Sequence, residues 1–119
     1  MATILIVEDD SGTRNILFLA LSDAGYEVTL AAGGQDALAA VKETAPALVV
    51  LDLVMPLMDG VTFAAELRRR ASDIPILLVT AHPDGARVAA EVGAAFLAKP
   101  FELDDLFTAV ARATRNAEP

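Results

Sequence analysis

Short apolar runs recur along the chain, each closed by polar or turn-forming residues. They fall at Thr3–Val7, Val28–Ala31, Ala47–Leu51, Pro75–Val79 and Ala95–Ala98. All are short and mostly rich in β-branched residues, which reads as strands. Between them apolar residues take helical spacing. Ile16, Leu17, Ala20, Leu21 and Ala24 share one face before Gly25, and Ala37, Leu38 and Val41 repeat the pattern before Pro46. Phe63, Ala64 and Leu67 do so after Asp59-Gly60, and Val88, Ala89 and Val92 make a shorter case ending at Gly93. The last helix carries Leu103, Leu106, Phe107, Val110 and Ala111, with Glu102, Asp104 and Asp105 in its first turn and Arg112 and Arg115 in its last. That distribution suits the helix dipole at both ends. Strands alternating with helices predict an α/β fold with a parallel sheet covered on both faces. Stretches such as "ALVVL" and "ILLV" are continuously apolar, as strands buried on both sides must be. Right-handed crossovers then give a doubly wound sheet, with strand order 2-1-3-4-5 favoured.

Composition narrows this picture. The 119 residues are read as one domain, 1–119, without repeats or an evident linker. There is no Cys, which excludes thiolate metal sites and fits a cytoplasmic setting. Apolar residues reach 55%, but in runs too short to span a bilayer, and no signal peptide is visible. A formal charge of −8 argues against nucleic-acid or membrane binding by this domain and favours a cation or a basic partner.

Candidate chemistry lies just beyond the end of each strand. In a doubly wound sheet, sites form beyond the carboxyl ends of strands where the winding reverses, here between strands 1 and 3. Strand 1 is followed by Glu8, Asp9 and Asp10, strand 3 by Asp52, strand 4 by Thr80 and strand 5 by Lys99. Adjacent carboxylates at the end of a buried strand repel and are costly to desolvate. A divalent cation makes them tolerable, and oxygen-only ligands point to Mg²⁺. Asp9 and Asp52 are the best-placed ligands, with Glu8 acting directly or through water. Mg²⁺ would draw in a phosphoryl group, and a carboxylate can itself be the nucleophile. Asp52 suits that role as a lone acid facing the cluster, Lys99 offers a point charge to a phosphoryl oxygen, and the Thr80 hydroxyl offers a donor to another.

The motifs "VEDD", "LDLVMPLMDG", "LVTAH" and "AKPF", in this order and register, resemble the receiver domain of two-component response regulators over nearly the whole chain. The resemblance implies a flavodoxin-like sandwich that takes a phosphoryl group onto Asp52 from a sensor histidine kinase or phosphotransfer protein. It makes Glu8 and Asp9 the acidic pair for Mg²⁺, with the Val54 backbone carbonyl as a further ligand and Asp10 as a non-ligand. It makes Thr80 and Lys99 the phosphoryl sensors and puts Phe96 at the place of the switch aromatic. It also implies a cis Lys99–Pro100 bond, an unidentified downstream effector, and leaves a phosphorylation-dependent dimer open. The domain is then a signalling switch with self-catalysed modification rather than a conventional enzyme.

Several residues depart from the common pattern. Phe96 lacks a hydroxyl, Val54 is apolar, and His82 lies two residues beyond Thr80. In the family the positions of Val54 and His82 tune water attack on the phosphoaspartate, so slow loss of phosphate is expected. The stretch from Thr80 to Lys99 is shorter than expected, which implies a trimmed fourth helix and questions the usual output face. Plainer readings stand beside these: "EDD" as a solvated loop or a helix cap, Phe96 as static core, His82 as a loop residue, Arg68, Arg69 and Arg70 as dipole partners of helix 3. Phe18 and Leu19 are either core edge or a docking surface for a kinase. Three other functions compete. A pseudo-receiver would act without phosphate. A flavin or nucleotide binder would need a phosphate-cradling loop where "EDDSGTR" stands. An independent phosphatase would need a second acid or base, which the motifs lack.

Overall fold

The computed structural model describes residues 2–52, 60–70 and 73–117, with side chains to 114. Strands and helices alternate along it: β1 (Thr3–Val7), α1 (Ser11–Asp23), β2 (Glu27–Ala31), α2 (Gly34–Thr44), β3 (Leu48–Leu51), α3 (Gly60–Arg69), β4 (Ile76–Thr80), α4 (Gly85–Val92), β5 (Ala95–Ala98) and α5 (Leu103–Ala117). The strands pair in parallel in the order β2-β1-β3-β4-β5. This is the doubly wound, flavodoxin-like arrangement expected from the alternation of elements.

Successive residues of a strand point to opposite faces, and here both faces are apolar. Leu5, Val7, Val49, Leu51, Ile76 and Leu78 pack under α2, α3 and α4, with Phe63 and Leu67 filling the space. Ile4, Ile6, Leu48, Val50, Leu77 and Val79 meet Leu17 and Leu21 of α1 and Leu106 and Val110 of α5. β3 and β4 are buried throughout, whereas the edge strands β2 and β5 are largely open to solvent.

Some sequence expectations need correcting. Thr80 is the last residue of β4 rather than the first beyond it, pairing with Ala98, and β4 starts at Ile76 instead of Pro75. Ile16 and Leu103 are not core: they are 56% and 49% exposed. Both line an open apolar cavity of about 530 Å³ beside Lys99 and Phe101, because each sits at the rim of its helix's apolar stripe. Ala24 is also exposed. Phe18 and Leu19 are surface residues, at 36% and 65% exposure. Asp59 and the turn before α3 lie outside the described residues.

The arginines at the end of α3 do more than face a dipole. Arg69 and Arg70 both pair with Glu66. Arg68 reaches across to α4: its guanidinium donates to the carbonyls of Ile74 at 2.9 Å, Val92 at 3.3 Å and Gly93 at 3.4 Å. It thereby satisfies carbonyls that the last turn of α4 leaves without helical donors. Gly93 ends that helix at φ +69°, a left-handed conformation that a side chain would strain. α4 has 8 residues, the fewest of the five helices among the described residues.

Candidate functional site

The site residues are placed by the sheet itself, because the hydrogen-bond ladder continues past the strand ends. Glu8 N donates to Ala31 O (3.1 Å), Asp52 N to Val7 O (3.1 Å) and Lys99 N to Thr80 O (3.0 Å). The backbones carrying the two acids and the base are therefore held by the ladder as well as by their side-chain contacts. The turn after β1 is held from two sides. Asp10 caps α1, accepting from Thr13 N at 2.8 Å, so the helix-cap reading of "EDD" holds at its last residue. Arg14 donates to the carbonyls of Glu8 at 3.0 Å and Asp9 at 3.4 Å. The sequence motifs do not single out Arg14. The available signal is a cation near the start of a helix, against the dipole, where it needs another partner.

The side chains converge. Lys99 Nζ lies 2.6 Å from Glu8 Oε1 and 3.2 Å from Asp52 Oδ2. Glu8 is only 2% exposed, while Asp9 stands open to solvent. One carboxylate oxygen from each of Glu8, Asp9 and Asp52 lies within 4.8 Å of the others. Thr80, buried at the end of β4, accepts from His82 N at 3.1 Å, and its side chain helps to hold the Asp52 pKa down. His82 is exposed, its Nδ1 accepting from Asp84 N at 3.0 Å, so its ring is tied into the turn before α4. The Lys99–Pro100 bond is cis, as the resemblance implies. Phe96 is 38% exposed and lies against Gly85. Val54 lies outside the described residues.

Burial and charge divide the acids into two kinds. Burial pushes the Glu8 carboxyl above its ordinary value of 4.5; Lys99 opposes this, and the neighbouring Asp52 reinforces it. Burial also acts to raise Asp52, but Lys99, Thr80 and a hydrogen bond with Glu8 outweigh it and hold Asp52 below its ordinary 3.8. Burial likewise works against the Lys99 ammonium, yet Glu8 and Asp52 keep its pKa above 10.5. At neutral pH the arrangement is thus an ionised Asp52 beside a firmly charged lysine, with a reluctant carboxylate between strand 1 and Lys99.

Three carboxylates on one rim form a hard-oxygen donor set that matches the ligand preference of Mg²⁺. An ionised carboxylate with a lysine on one oxygen also has what a nucleophile toward phosphorus requires: a lone pair and a neighbouring group that neutralises charge.

Among the described residues no helix is long and apolar enough to cross a membrane. Residues 4–111 match the family model described as the response regulator receiver domain. The chain is 37% identical over 119 residues to the response regulator MprA of Mycolicibacterium vanbaalenii, covering 98% of this chain and 52% of that protein. It therefore spans about half the length of the curated relatives it matches. Among solved structures, a putative response regulator from Chloroflexus aurantiacus superposes with a TM-score of 0.89 at 36% identity, covering 96% of this chain and 98% of that one. Chemotaxis protein CheY4 of Vibrio cholerae superposes with a TM-score of 0.87 at 34% identity, covering 95% and 98%. The family match runs from β1 into α5 and so takes in every strand and the residues that end them; this chain belongs to the response regulator receiver domains.

Proposed function

We propose that residues 1–119 act as a single cytoplasmic receiver unit whose Asp52 accepts a phosphoryl group from a sensor histidine kinase or phosphotransfer protein and passes the signal to a downstream effector. The observation that carries this reading is the Lys99 ammonium set 3.2 Å from Asp52 and 2.6 Å from Glu8, on the rim shared with Asp9. An Asp52 oxygen attacks phosphorus, the bond from phosphorus to the donor nitrogen breaks, and the imidazole leaves with that electron pair. The product is a mixed anhydride of carboxylate and phosphate. Glu8, Asp9 and Asp52, with the Val54 carbonyl, would hold Mg²⁺. When bound, that ion supplies positive charge to the transferring phosphoryl oxygens. Lys99 bears on another phosphoryl oxygen, the Thr80 hydroxyl turns to follow it, and Phe96 responds to Thr80.

Intact-mass measurement tests this. Incubated with Mg²⁺ and phosphoramidate, the protein should gain the mass of one phosphoryl group, lose that ability in chelator, and fail to gain it as Asp52→Asn. Modification that persists in Asp52→Asn would place the acceptor elsewhere. No modification under any condition would favour an interaction module that works without phosphate. In the same assay the modified wild type should decay slowly and Val54→Asn faster, since the resemblance puts Val54 and His82 at the positions that tune water attack on the phosphoaspartate. An unchanged or slower decay in the variant removes Val54 from that role.

A further inference from the structure

Gly85 opens α4, and no backbone requirement explains it. Its φ is not among the positive values, which among the described residues belong to Ala45, Gly25 and Gly93. A helical position of this kind is one that alanine occupies more readily. What excludes a side chain is space. A Cβ built on Gly85 would lie 2.6 Å from Phe96 Cε1, 2.7 Å from Thr80 Cγ2 and 3.2 Å from Phe96 Cζ. The glycine is buried between the last residue of β4 and an aromatic ring of β5.

The two neighbours differ in how far they can yield. Thr80 is 2% exposed, and its hydroxyl is engaged by His82 N. Phe96 is 38% exposed, so its ring has solvent to move into. A short bonded path also joins Thr80 to the glycine: His82 N donates to the Thr80 hydroxyl, and Gly85 N donates to His82 O at 3.0 Å. A displacement of Thr80 therefore reaches the start of α4 both through this turn and through the methyl that faces Gly85.

We propose that Gly85 is a positioning residue: its missing side chain lets the Thr80 methyl and the Phe96 ring share one contact, so that the ring follows Thr80. This rests on the switch reading above. It concerns how a change at Asp52 leaves the site, and the glycine takes no part in phosphoryl transfer.

The test labels Phe96 with 4-fluorophenylalanine and follows its ¹⁹F resonance as Mg²⁺ and beryllofluoride, a stable mimic of a carboxylate-bound phosphoryl group, are added. In the glycine form the resonance should move. In Gly85→Ala the resonance of the free protein should shift toward its solvent-exposed value and its response to beryllofluoride should shrink. Apparent beryllofluoride affinity should fall about tenfold, the scale of losing one hydrogen bond to a charged group as the Thr80 hydroxyl is kept from the bound fluoride. Removing the ring as Phe96→Ala takes away two of the three close contacts and leaves that with the Thr80 methyl, so that adding Gly85→Ala to it weakens affinity less than about threefold. Should Gly85→Ala not fold cooperatively, Phe96→Ala alone decides: the amide resonances of Thr80 and Gly85 must move when the ring is removed. A wild-type response reproduced unchanged in Gly85→Ala, equal losses with and without the ring, or unmoved amides in Phe96→Ala would overturn the role of Gly85 and leave the switch reading intact. No response in the wild type would overturn the switch reading and this coupling with it.

Discussion

Lys99→Ala is expected to bind Mg²⁺ more tightly than the wild type and yet to accept phosphate far more slowly. The opposite signs arise from one geometry. Without metal, the ammonium sits 2.6 Å from Glu8 and 3.2 Å from Asp52, on the carboxylates a cation would use. It is a resident counter-charge, and its pKa above 10.5 keeps it charged at any physiological pH. An incoming Mg²⁺ must compete with it for Glu8 and Asp52. Two unit charges about 4 Å apart interact by roughly 4 kcal/mol at an effective dielectric near 20, and the partial exposure of the lysine reduces that. A gain of about tenfold in Mg²⁺ affinity is the expected remainder. The phosphoryl group uses the same charge differently. As negative charge develops on its oxygens, a fixed ammonium counts fully, and removing one such donor typically slows reaction by about 10²–10³-fold. Calorimetric Mg²⁺ titration and the rate of mass gain with phosphoramidate read the two effects separately. If both affinity and rate fall, Lys99 organises the metal site instead of competing for it.

The elements that converge on this site were legible in the sequence because strand ends were legible. Continuous apolar runs in β3 and β4 marked them as interior, and the polar residue that breaks each run had to emerge at the same rim. Glu8, Asp52, Thr80 and Lys99 could be assigned to one crevice from 119 letters for that reason. What was not legible depended on reach. Nothing in "RRR" distinguishes Arg68, which crosses to α4, from Arg69 and Arg70, which turn back to Glu66. Arg14 was hidden for the same reason, since its partners are backbone carbonyls and leave no mark on sequence. Ile16 and Leu103 fit a helical stripe by period, but period fixes the face and not how far the neighbouring helix extends to cover it. Gly85 escaped notice because a glycine required by packing looks like one required by a turn.

Glu8→Gln should stabilise the metal-free protein at neutral pH while weakening its hold on Mg²⁺. The sign comes from linkage. The folded-state pKa of Glu8 lies above 4.5, so the folded protein keeps this proton to a higher pH than the unfolded chain does. Below 4.5 both states are protonated and Glu8 adds no penalty. As pH rises through the folded value, the native state must hold a buried carboxylate beside Asp52, and stability falls. Asp52 runs the other way: its folded pKa lies below 3.8, so its contribution is present above 3.8 and is lost only as pH falls through the folded value. Between about pH 5 and 8 the two carboxylates therefore oppose one another, and Glu8 is the one working against the fold. Glutamine keeps an acceptor for the Lys99 ammonium and removes the charge. Denaturant unfolding in chelator should show wild-type stability declining as pH rises above 4.5 and levelling once Glu8 is ionised in the folded state, with the variant flat over that interval. Mg²⁺ affinity should drop by roughly tenfold or more, since even residues behind the ligands typically cost about 10–100-fold. A variant no more stable than wild type at about pH 7 would mean that Lys99 already neutralises Glu8 in full. The repulsion at the end of β1 would then not be what leaves this rim of the sheet in want of a cation.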